Sequence, residues 1–147
     1  MKKANDATRV SDVHAIQEAL QRYDVDKGNY PDSVVTFDWE LSAVQGTGNF
    51  LVALKPYGLP RGAPVDPINN ATNPDSEASY AAGKYGYWYY RYNAGDRGCD
   101  ASRGNFYVIG IVNMESVNGT HPNSPGFSCS LRNWQLEFEW VTGGYER

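Results

Sequence analysis

Few residues in this chain have the types and spacing that chemistry requires. Histidine is the residue type most often used for acid–base work, and the chain has two, His14 and His121. They stand far apart in sequence, and neither has a carboxylate placed to orient it. His14 falls near the apolar edge of a helical stretch and His121 precedes Pro122 in a loop. The expectation is that they do not meet and serve as solvated or packing side chains. No G-x-S-x-G, Walker loop, H-E-x-x-H or dinucleotide fingerprint is present. Neighbouring acids such as Asp38 and Glu40 read as ordinary surface. No catalytic or cofactor-binding residue is therefore assigned, and the chain is not expected to be an enzyme.

Three other groups of residues carry chemical potential. Asp96 and Asp100, in the loop from Asn93 to Ser102, are hard oxygen donors for a calcium ion, but without EF-hand spacing. The alternative is a loop with solvated acids, and no other metal or cofactor is expected. Cys99 and Cys129 lack partners at zinc-ligand spacing. Both lie in Gly/Asn/Ser-rich sequence, which favours a disulfide over two buried thiols; it would stabilise by roughly 3–4 kcal/mol in the chain-entropy model. Asn70-Ala71-Thr72 and Asn118-Gly119-Thr120 match the N-glycosylation triplet.

Aromatics are the largest group, with 11 tyrosines and 4 tryptophans. Such rings stack on sugars or on a protein partner as readily as they fill a core. In the run from Tyr85 to Tyr92 they occupy both faces of a strand. A small two-layer domain cannot bury both faces unaided, so Tyr87, Trp88, Tyr89 and Tyr90 are candidate binding residues.

The elements that would position these residues begin with a helix, read over residues 6–27. Val10, Val13, Ile16, Leu20 and Tyr23 recur at three- and four-residue steps and form one packing face. Asn5 or Asp6 is expected to cap its first amides. Gly28 and Pro31 end it. A connecting region, residues 32–84, contains four prolines from Pro56 to Pro67, which exclude regular helix or central strand there. In it Phe50, Ala53 and Leu54 are read as inward-facing on a helical turn, and Leu59, Val65 and Ile68 as pinning residues. Residues 73–83 read as an exposed polar loop. Residues 85–147 hold three strands: 85–92, 106–114 and 134–141. The second is apolar on both faces and reads as central. The third alternates, with Trp134, Leu136, Phe138 and Trp140 on one face. The fold class is α+β: one domain with a long amphipathic helix on a three- to four-stranded antiparallel sheet.

Composition limits the partners. A net charge of −4 without a basic stripe argues against nucleic acid. A charged fraction of 20% with abundant Gly, Ser, Asn and Tyr fits a secreted or surface-displayed domain. No stretch approaches the roughly 20 apolar residues of a membrane span, and no signal peptide opens the chain.

The order of these features resembles the soluble part of type IV pilin-like proteins, particularly the pseudopilins of type II secretion. The resemblance rests on the helix from Ala7 to Tyr23, the stop from Asp26 to Pro31, and the segments Phe50 to Pro60 and Pro64 to Pro67. The tyrosine-rich strand and Phe106 to Gly110 complete it; the chain beyond Met114 has no counterpart. The resemblance implies a pilin-like fold, with an apolar half-helix upstream of Met1 that anchors a precursor in the inner membrane and later forms a filament core. It implies a structural subunit of an extracellular or periplasmic filament that associates with itself and with other pilin-like subunits. The Gly- and Asp-rich calcium loop of pseudopilins is not recognisable here. The cysteine pair is instead similar to pilins with a disulfide-bounded C-terminal loop. Major pilin, minor pilin and pseudopilin remain unseparated. The rival expectation is an extracellular adhesive or glycan-binding module that uses surface aromatics.

Overall fold

The computed structural model describes residues 1–35, 38–72 and 81–147. Most of the segment expected to form the polar loop 73–83 lies outside the described residues. Helix α1 spans Lys2–Lys27 and ends where Gly28 takes φ 79°, a left-handed conformation that glycine adopts without a Cβ penalty. Strand β1 is Glu40–Leu41, followed by the single-turn helix α2, Ser42–Gln45. The longer strands are β2 (Tyr87–Tyr92), β3 (Phe106–Ile111) and β6 (Trp140–Tyr145). A two-residue hairpin, β4 (Ser128–Cys129) and β5 (Arg132–Asn133), lies between the last two. The main sheet is antiparallel in the order β1-β2-β3-β6, so β3 is central, as its unbroken apolar sequence requires.

Both faces of this sheet are covered. On one side Val13, Ile16, Ala19 and Leu20 of α1 pack with Tyr87, Tyr89, Tyr107, Ile109, Ile111 and Trp140. Val10 and Tyr23 pack at the edge of this cluster and are only partly buried. Hydroxyls fasten the chain after the helix to the same side: Tyr89 donates to the Pro31 carbonyl at 2.7 Å and Tyr30 to the Tyr145 carbonyl at 3.0 Å. On the other side Trp88, Phe106, Val108 and Val141 meet Trp39, Trp134, Phe138 and Cys99. That outer layer contains little regular structure. Gly110 lets it approach, since a Cβ there would lie 2.5 Å from the Phe138 ring.

Several expectations are corrected by this arrangement. Helix α1 begins four residues before the expected start, with Met1 at its N-cap and no side-chain cap, so neither Asn5 nor Asp6 caps it. Residues 134–141 are not one strand. Trp134–Leu136 form a 3-10 turn closed by the Asn133 side chain, which accepts from the Gln135 amide, and only Trp140 and Val141 belong to a strand. Trp134 and Phe138 therefore lie in the outer layer, Trp140 lies on the helix side, and Leu136 is 84% exposed. Alternation over a few residues suits a turn with two inward rings as well as it suits a strand. Ala53 and Ile68 are exposed, while Phe50 and Leu54 are buried and Leu59 and Val65 partly so. Pro56 sits inside the 3-10 helix Val52–Tyr57, which ends at Gly58.

Leu20 lies fully buried between helix and sheet. Its replacement by Ala is expected to cost about 2–5 kcal/mol on chemical denaturation. A loss below about 0.5 kcal/mol, the level of a surface change, would contradict that placement.

Candidate functional site

The inward stripe of α1 does not stop at its last apolar residue. Continuing toward the N-terminus at the same spacing, the positions before Val13 are Arg9 and Asp6, and both are buried. Arg9 is 0% exposed. Its guanidinium makes a bidentate pair with Asp66 (Nε to Oδ2 2.8 Å, Nη2 to Oδ1 3.0 Å). Its Nη1 donates to Asp6 Oδ1 at 2.9 Å and to Glu115 Oε2 at 2.7 Å. The Tyr85 ring lies 4.7 Å from the guanidinium carbon. Asp6 also accepts from the backbone amides of Glu115 and Ser116 and from the Ser116 hydroxyl. Asp66 Oδ1 accepts from the Ile68 amide at 2.9 Å, so the same carboxylate shapes the turn after Pro67.

One cation thus faces three carboxylates. Hydrogen bonding resolves the imbalance. Burial opposes the charge on Asp6, but the Ser116 hydroxyl, the Glu115 and Ser116 amides and Arg9 all bind its ionised form, and its pKa falls below the usual carboxylate value. Glu115 is lowered too: burial opposes ionisation, and Arg9 and Asn5 outweigh it. Arg9 itself is pushed further upward: burial works against its charge, and Asp66, Glu115 and Asp6 more than offset that. Close by, Tyr87 donates its hydroxyl to Asp12 Oδ2 at 2.7 Å. Burial keeps Asp12 above its usual value despite that bond.

The network fixes residues 115–116 against the helix and so forms a groove. One wall is the α1 stripe Lys3, Ala7, Val10 and His14; the other is the loop carrying Val117 and His121. The groove holds about 690 Å³, within the range of small-molecule sites. Both histidines line it, from opposite walls. The reason is non-local: the ties from Arg9 and Asp6 to the 115–116 segment bring the following loop onto the helix. The His14 ring meets the Trp140 ring edge-on at 5.9 Å. His121 Nδ1 accepts from the Asn123 amide at 3.1 Å. The Ser116 hydroxyl on the groove is already donated to Asp6. The lining thus offers imidazoles, an ammonium and apolar surface, and its serine at 116 is committed to structure.

The remaining candidates fall elsewhere. Tyr87, Trp88 and Tyr89 are buried on alternate sheet faces, and of the four binding aromatics only Tyr90 is partly exposed. The proposed binding surface on this strand is therefore core, because the outer layer covers the face that two layers would leave open. Asp96 accepts from the Asn93 amide at 2.9 Å, and Asp100 from the Ser102 amide at 3.0 Å and hydroxyl at 2.7 Å. These two acids cap turns, and among the described residues no three His, Cys, Asp or Glu side chains converge on a metal position. Cys99 and Cys129 form a disulfide with Cα atoms 4.9 Å apart. Glu40 is buried rather than surface. Burial raises its pKa, and its carboxylate accepts from the Val34 and Leu51 amides.

Compared with family models, with curated proteins and with solved structures, the chain matches none of them.

Two outcomes follow from the charge network. Replacing Arg9 with Met strands three carboxylates and is expected to cost about 3–5 kcal/mol in equilibrium denaturation. Asp66→Asn leaves the guanidinium two other acids and is expected to cost less; the reverse order would show that Asp66 alone compensates Arg9. The second outcome concerns pH. A carboxyl whose pKa is depressed on folding contributes stability above its unfolded value of about 4, lost as pH falls toward the folded value. The stability gap between wild type and Asp6→Asn is therefore expected to narrow as pH drops from 7 to below about 4. A gap that is constant or widens in acid would contradict an ionised, hydrogen-bonded Asp6.

Proposed function

We propose that this chain is the soluble portion of a structural subunit of a type IV pilus or type II secretion pseudopilus filament, and that it acts by assembly rather than catalysis. The observation that carries the reading is the helix of 26 residues laid along one face of a four-stranded antiparallel sheet. The sequence features that resemble pilin-like proteins fall at that helix, at its Gly28 stop and in the central strands. The disulfide that closes residues 99–129 gives independent support, since an extracytoplasmic compartment preserves such a bond.

In this reading the partners are further copies of the chain and other pilin-like subunits. The protein resides outside the cytoplasm, held in the inner membrane before assembly by an apolar segment upstream of Met1. No described helix is itself long and apolar enough to cross a membrane. The glycan-binding alternative loses its main support because Tyr87, Trp88 and Tyr89 are buried.

The test is to raise antibodies against the domain and probe cells that express the native gene. Inner-membrane retention of the precursor, with immunogold label along sheared surface or periplasmic fibres, is the expected result. Recovery solely as a free monomer after cleavage of an ordinary signal peptide would overturn the proposal.

A further inference from the structure

We infer that Asn118 is a site of spontaneous covalent self-modification, and that its reaction with Gly119 loosens the hold of Glu139 on Met114, Gly119 and His121. Asn118-Gly119 is the chain's one Asn-Gly step. Asn118 is exposed, and its side-chain amide makes no hydrogen bond with any described residue. Gly119 has φ 96°, and nothing within 4 Å crowds the place a Cβ would occupy. Gly119 has no side chain to hinder the approach of its nitrogen to the Asn118 side-chain carbonyl carbon.

Other asparagines are held differently. Asn70, which starts the other glycosylation triplet, donates its amide to the Gly83 carbonyl at 2.9 Å and accepts from the Tyr85 amide at 2.7 Å. Asn113 donates to the Ala81 and Lys84 carbonyls, and Asn5 to Glu115. Each precedes a residue with a side chain.

The chemistry needs only water. The Gly119 nitrogen attacks Asn118 Cγ, and a new C–N bond forms. The Cγ–Nδ2 bond breaks, and ammonia leaves with the proton given up by the Gly119 amide. Water then opens the resulting succinimide at either carbonyl, giving aspartate or isoaspartate at 118. No oxidant, reductant or enzyme is required.

The product has a neighbour that makes it consequential. Glu139, one residue before β6, accepts from the Met114 amide through Oε1 at 2.7 Å and from the Gly119 amide through Oε2. Its backbone carbonyl also accepts from the His121 amide at 2.7 Å. One residue therefore ties three points of the loop that forms the groove wall. The Gly119 amide must leave Glu139 to react, so the intact tie slows the step. Once formed, a carboxylate at 118 stands next to the amide that Glu139 holds, and like charges in close contact repel. The isoaspartate product also lengthens the backbone there. The loss of ammonia makes the reaction one-way, and both changes oppose re-formation of the tie, which opens the groove wall.

The test ages purified wild-type protein at neutral pH and 37 °C and follows it by peptide mapping and amide hydrogen exchange. Fresh Asn118→Asp and aged Asn118→Gln run alongside. The expected result is conversion of Asn118 to aspartate and isoaspartate several-fold ahead of Asn70 and Asn113. Protection of the Met114, Gly119 and His121 amides should fall in aged wild type and in Asn118→Asp, and persist in aged Asn118→Gln. Retention of the Asn118 amide while other asparagines convert would overturn the site. Undiminished protection of those three amides in Asn118→Asp would overturn its coupling to Glu139.

Discussion

A guanidinium sealed from water is the constraint around which the rest of this molecule is arranged. An arginine with no exposure is tolerable only if nearly every donor finds an acceptor, and Arg9 finds them on three separate stretches of chain. Asp6 comes from the same helix, Asp66 from the proline-rich connection, and Glu115 from the chain leaving the central strand. These segments also meet through apolar residues, Val10, Ala63, Val65, Met114 and Val117. The buried charge adds direction to that packing and helps set where the proline-rich segment lies and where the loop after β3 turns. Desolvation cancels much of the attraction within a cluster of this kind.

Beyond the first turns of α1 the logic is hydrophobic. Alternate residues of β2 enter two different cores: Tyr87 and Tyr89 meet the helix, while Trp88 and Tyr92 meet the outer layer. That second layer is irregular, and it is stabilised by large rings, by the Arg132–Glu137 pair and by the disulfide rather than by hydrogen-bonded ladders. Its contact with the sheet depends on Gly110, the gap in β3 into which Phe138 settles.

The sequence is readable where one period governs a long stretch. The helix over residues 6–27 and the centrality of β3 follow from spacing and from unbroken apolarity. The inward stripe of its first turns was obscured because it satisfies the same spacing with charge: Asp6 and Arg9 continue the series of Val13, Ile16 and Leu20. A charged pair on the apolar stripe is the signal that points to the network, but nothing local names Asp66 or Glu115 as its partners. Residues 134–141 misled for the opposite reason, since alternation over so short a run does not separate a strand from a turn with inward rings. That His14 and His121 line one groove depends on contacts between distant residues, which no spacing encodes. The aromatic strand was legible as a strand, but its burial depended on a layer with no regular pattern of its own.

The bond between Cys99 and Cys129 has a topological meaning beyond its strength. The ring it closes contains the whole of β3 and the loop that walls the groove. The molecule is accordingly a covalent hoop with two linear arms, residues 1–98 and 130–147, packed against it. The first arm supplies α1, β1 and β2 and the second supplies β6; the hoop supplies the strand on which β2 and β6 both pair and the glutamate that Arg9 reaches. Pulling on the first residues of α1 would load the Arg9–Glu115 contact and strip the first arm from the hoop, but it could not thread the central strand out of its loop. A force applied at that end therefore meets a charged clasp first and a closed ring last.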